Sequence, residues 1–236
     1  MPAYRTPDII GSTMTDAFLE IQLSDGTSIK YPRTPINIGT VTSSYRRAGE
    51  NQYLYEYTLD NRQVEMIRVG EFDYKFGNPI FSSPDGWAGS MVGWDPIPWK
   101  GTPPARIEAA KYSILSDYLP GPLYFLFMGK GDIRKDFEMP FKGRNASERS
   151  LIQQIDLQIH FHGDSVEPIL IGPSLKPKPS EKEVRERIHQ WIHEYHLTFL
   201  QPLDGEKSNL METANKVSPT TEFERQVLDC VKLAIR

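Results

Sequence analysis

A chain of 236 residues can bury a sizeable core as one large domain, or as a main domain with an appendage, and 39% hydrophobic with 11% aromatic residues excludes a disordered chain. Lys and Arg total 27 against 31 Asp and Glu, a net charge of −4 that lacks the counterion-release drive of sequence-independent nucleic-acid binders. The single cysteine, Cys230, excludes an intrachain disulfide and fits a reducing compartment.

The first residues, Met1-Pro2-Ala3-Tyr4-Arg5-Thr6-Pro7, carry no apolar stretch of the kind that begins a secretory signal, and the longest apolar run, Leu123 to Met128, is too short to span a bilayer. The expectation is cytoplasmic synthesis without export or a membrane partner, so the Asn145-Ala146-Ser147 sequon meets no glycosylation machinery. From Phe18 to Phe81 the pattern is antiparallel strand. Leu19, Ile21 and Leu23 alternate with Glu20 and Gln22, and Asp25-Gly26 turns the chain into Ile29 and Tyr31. A second pairing is expected between Tyr53–Leu59 and Val64–Val69 across Asp60-Asn61-Arg62, with Tyr53, Tyr55 and Tyr57 forming an aromatic row on one face.

Residues 82–104 are dense in Gly, Pro and Trp, follow neither strand nor helix period, and read as an extended loop. Its Trp87, Trp94 and Trp99 are suited to clamping a protein partner or stacking on a sugar, or to closing over the core. Thr102-Pro103 reads as a helix start, with Ile107, Ala110, Ile114, Leu115 and Tyr118 on one face until Pro120-Gly121. Leu123–Met128 is short and continuously apolar, as a strand buried on both faces requires.

All five histidines fall between positions 160 and 196. Over residues 155–162 apolar and polar residues alternate, so a strand puts Asp156, Gln158, His160 and His162 on one face, although Leu151, Ile152, Ile155 and Ile159 also suit a helix. Two imidazoles two residues apart on a strand make the start of a metal site. His160-x-His162-x4-Glu167 resembles the first metal motif of cupins, small β-barrels that hold a metal inside, over about eight residues. It departs from that motif at Gln154, where the motif has Gly, and in having no further histidine before residue 173. The resemblance implies a metal held by His160, His162 and Glu167. The plainer reading is a polar strand face without metal.

Pro173-Ser174-Leu175-Lys176-Pro177-Lys178-Pro179 reads as an extended connector between a strand-rich body, 1–172, and a helical appendage, 180–236. Ser180 with Glu183 and Thr221 with Glu224 are capping-box patterns. Val184, Ile188, Trp191, Ile192 and Tyr195 mark one apolar stripe, and Phe223, Val227, Cys230, Val231 and Ala234 another, so the two helices are expected to pack on each other, on the strand-rich body or on another chain. His189, His193 and His196 follow helical spacing about 130° around from the first stripe, on a solvated or partner-facing side.

The chain lacks a Gly-x-x-x-x-Gly-Lys-Ser/Thr phosphate loop and a Gly-x-Ser-x-Gly elbow. The sequence reading is therefore an α+β protein: an antiparallel strand-rich body, a long Gly/Pro/Trp loop and a C-terminal helical appendage. It is expected to be a structural or assembly subunit of a larger particle, such as a virus or phage tail, neck or capsid accessory component, without catalytic activity or cofactor. Its partners are other protein subunits, in a homo- or hetero-oligomer, contacted through Trp87, Trp94, Trp99, Val184, Ile188, Trp191 and Tyr195. The alternatives are a cupin-like metal enzyme using His160, His162 and Glu167, and a carbohydrate- or peptide-binding module using the tryptophan loop.

Overall fold

The computed structural model describes residues 6–36, 38–59, 64, 66–69, 79–84, 87–92, 95–101, 110–128, 137–163, 165–205 and 209–236, with side chains left undescribed at 87–92, 95–101, 110 and 160–161. The fold is α+β, with three antiparallel sheets and helices that include a C-terminal one. Strands β1 (Ile9–Met14), β2 (Phe18–Leu23) and β3 (Ser28–Pro32) make the first sheet, in that order. Strands β4 (Val41–Gly49), β5 (Gln52–Leu59), β6 (Met66–Val69), β7 (Ile80–Ser82), β8 (Trp87–Val92), β9 (Asp95–Gly101), β10 (Ala110–Ser116) and β11 (Leu119–Met128) follow. Helix α1 (Ala146–His162), strand β12 (Ile169–Leu175), and helices α2 (Glu181–Glu194), α3 (Leu210–Lys216) and α4 (Glu222–Ile235) complete the order, with a 3-10 helix over Thr198–Leu203. None of the described helices is long and apolar enough to cross a membrane.

The expected hairpin is present. Gly26 takes φ 86° and the Thr27 N–H bonds the Asp25 carboxylate (2.9 Å), so β2 and β3 pair with Ile21 opposite Ile29. Their inward residues Leu19, Ile21, Leu23, Ile29 and Tyr31 pack on Leu151, Ile155 and Ile159 of α1. The strand expected over 155–162 is therefore a helix. Both periods suited that segment, and burial at 151, 155 and 159, one face of a helix, decides between them.

The other sheets run β4-β5-β10-β7 and β12-β11-β6-β9-β8, and both contribute to one core. Tyr53, Tyr55 and Tyr57 of β5 all point inward, and the Tyr57 ring lies 4.7 Å from that of Phe125 on β11. Strand β5 pairs with β4 and β10, while β6 pairs with β11 and β9, so the expected pairing of Tyr53–Leu59 with Val64–Val69 does not form. The helix expected from Thr102 is also overturned where it is described: residues 110–116 are β10, with Tyr112, Ile114 and Ser116 buried at strand period. Its start at Thr102 and Pro103 lies outside the described residues.

Within the stretch read as a loop, β8 and β9 form an antiparallel ladder from Trp87↔Gly101 to Val92↔Asp95, with an irregularity between Ala88 and Ser90. Pro96 and Pro98 fall outside the two residue pairs joining β9 to β6, so their missing N–H groups leave that ladder intact. In β11, Pro120 and Pro122 lie in the half that pairs with β12, and the half from Phe125 on pairs with β6. Leu123 and Phe125 to Met128 are buried as expected of a strand covered on both faces.

Both expected capping boxes form. Ser180 accepts from the Glu183 N–H and Thr221 from the Glu224 N–H, and each glutamate carboxylate accepts in turn from its cap's backbone N–H. The Glu183 carboxylate also meets the Lys176 ammonium, and these partners bring it from 4.5 to about 2. A value lower folded than unfolded makes this contribution present at neutral pH and lost as pH falls from 4.5 through 2. Residues 173–175, expected to open the connector, continue β12, and Ile171 and Leu175 belong to the same core as α2, α3 and α4. Val184, Ile188, Trp191 and Tyr195 are buried in that core, so of the covers expected for this stripe it is the chain's own body, and not another chain, that supplies it.

Candidate functional site

At the C-terminal end of α1, His162 Nδ1 lies 3.4 Å from Glu167 Oε1, both side chains partly exposed. Two of the motif's three residues therefore meet, but by a different route from the strand expected. Residues 160–162 are the last of α1, so the strand on which the cupin resemblance depends is missing, and the side chain of His160 lies outside the described residues. Beside this pair, Met14, Arg33, Tyr124, Ser165 and Glu167 line a cleft of about 400 Å³. The Arg33 guanidinium donates to the carbonyls of His162 (2.8 Å), Gly163 (3.3 Å), Ser165 (2.6 Å) and Thr15. A cation against the last carbonyls of a helix offsets the negative end of its dipole, so the geometry makes Arg33 a clasp.

A second cluster stands on α2. His189 and His193 lie one turn apart on the exposed side, with ring centroids separated by 4.2 Å. Asp204, at the end of the 3-10 helix, places both carboxylate oxygens 3.1 Å from His189 Nδ1. One ligand atom from each of His189, His193 and Asp204 lies within 4.8 Å of the others. His196 leaves the stripe, because α2 ends at Glu194 and His196 takes a left-handed φ of 56°. Asp204 was missed in the sequence: it is 15 residues from His189 and arrives through a reversal that no periodicity marks.

Trp87 lies on β8, the edge strand of its sheet, and Trp99 on β9, while Trp94 lies outside the described residues. Cys230 is fully buried in α4, and burial pushes its thiol far above the usual range, as it does the Tyr45 hydroxyl that contacts it. Such a thiol is no nucleophile at neutral pH. Native protein is expected to leave Cys230 unlabelled by an aromatic disulfide reagent over hours and to label fully in denaturant; rapid labelling of native protein contradicts the buried placement.

No protein family, curated protein or solved structure matches the chain.

Proposed function

We propose that the chain is a structural or assembly subunit of a larger protein particle, of the kind found in virus or phage tails, necks or capsid accessories, and that it has no catalytic activity. The observation that carries this reading is apolar exposure on sheet edges. Ile10 (66% exposed) and Met14 (38%) lie on β1, and Ile80 (63%) on β7, each strand at the outer position of its sheet among the described residues. Exposed apolar edge strands offer unpaired backbone groups and apolar side chains to a strand of another chain, an arrangement that isolated proteins avoid.

Val184, Ile188, Trp191 and Tyr195, expected at the partner surface, are interior and take no part in it. The test is the mass of the full chain in solution, alone and with its native co-expressed proteins. Assembly is expected, and Ile10→Lys with Ile80→Lys should weaken it while leaving the circular dichroism spectrum unchanged. A monomer at high concentration under both conditions overturns the proposal.

A further inference from the structure

We propose that His189, His193 and Asp204 form a binding site for one divalent transition-metal ion of the zinc class, which clips helix α2 to the segment that follows the 3-10 helix. The donors are two imidazole nitrogens and a carboxylate oxygen, a set that suits zinc, nickel, cobalt or copper and disfavours magnesium and calcium, which take oxygen ligands. Metal–ligand bonds of about 2.0–2.2 Å put the ligand atoms of a tetrahedral site about 3.3–3.6 Å apart. His189 and Asp204 already stand at 3.1 Å, and the third atom lies within 4.8 Å of both, a distance that side-chain rotation alone can close.

Both arms of the site are held independently of any ion. The rotation of α2 is set by Val184, Ile188, Trp191 and Ile192, all buried on the side away from the histidines. Asp204 follows the buried Leu203, and its N–H bonds the Gln201 carbonyl (3.1 Å). One turn before His189, Arg185 donates to the carbonyl of Gly205, the residue after Asp204, and so ties the loop to the same helix. A site whose ligands are placed by the core loses little entropy on binding. Three protein ligands leave a fourth position for water or for a donor from a neighbouring molecule.

This inference does not depend on the assembly reading. The test uses untagged full-length protein treated with chelator and then titrated with zinc chloride by calorimetry. One ion per chain is expected, with a rise in the thermal unfolding midpoint, and cobalt substituted at the site should give the visible absorption of a tetrahedral centre. His193→Ala and Asp204→Asn, both exposed positions, should each weaken zinc by at least about tenfold while His162→Ala leaves it unchanged. The absence of saturable zinc uptake overturns the proposal. So does affinity that is unchanged in both His193→Ala and Asp204→Asn.

Discussion

Replacing Trp191 with alanine is expected to lower the free energy of unfolding by about 3–5 kcal/mol, the range for deleting a large buried aromatic side chain. The indole is 0% exposed and belongs to the core that joins α2 and α4 to β12. It rests directly on strand β11, where a Cβ added at Gly121 would lie 2.6 Å from Trp191 Cζ2 and 2.8 Å from the Ser174 Cβ. Gly121 is opposite Gly172 in the β11–β12 ladder, and that backbone pairing opposes a shift of the strand into the space that alanine leaves. The indole N–H has no hydrogen-bond partner among the described residues, so Trp191→Phe discards an unsatisfied donor with part of the ring and should cost clearly less. From the other side, Gly121→Val forces a branched side chain against a rigid ring and should cost about 1–3 kcal/mol. Urea unfolding followed by circular dichroism measures all three. A loss below about 1 kcal/mol for Trp191→Ala is incompatible with helices seated on β11.

Features encoded over a few neighbouring residues were legible in the sequence. The Asp25-Gly26 hairpin, the buried strand at Leu123–Met128 and the caps at Ser180 and Thr221 each depend on contacts within one turn or one strand, and each is present. Segments whose period was ambiguous went the other way. Residues 155–162 alternate perfectly, yet Leu151, Ile155 and Ile159, spaced one helical turn apart, pack together on the β2–β3 hairpin. Residues 110–116 suited a helical face through Ile114 and Leu115, but Tyr112 and Ile114 stand opposite Tyr57 and Tyr55, and that aromatic pairing makes the segment a strand.

The remaining differences are matters of distance along the chain. Prolines at 96 and 98 read as loop punctuation because the sequence does not show which backbone donors a neighbouring strand needs, and β6 needs none from those positions. Likewise, Pro173 looks like the start of a tether until β11 supplies its partner, Pro120, more than fifty residues earlier. The candidate site was half legible: the His189 and His193 spacing is a property of one helix, whereas Asp204 reaches them only because Leu200 and Leu203 anchor the 3-10 helix in the core. His162 and Glu167 were paired for the wrong reason, since the end of a helix and not a strand face brings them together.

Arg33→Ala is expected to cost about 1.5–3 kcal/mol, the range for hydrogen bonds made by a charged group. Its guanidinium reaches His162, Gly163 and Ser165 just past the end of α1 and Thr15 in the turn before β2, so one side chain fastens the helix to the sheet beneath it. Its own N–H bonds the Ala17 carbonyl (3.0 Å), which fixes where the side chain starts. With alanine there, those carbonyls lose a common donor, and water can re-solvate only the ones near the cleft surface. Lysine should recover only part of the loss, because a single ammonium restores the charge opposite the helix terminus but not the planar fork that spans several carbonyls. The effect belongs to α1 and the first sheet, whose core is separate from that of Trp191, so the two alanine substitutions should add within about 0.5 kcal/mol. Denaturant midpoints of the two single variants and the double variant measure this. An Arg33→Lys protein as stable as the parent contradicts the multi-carbonyl clasp, leaving charge alone as the cause.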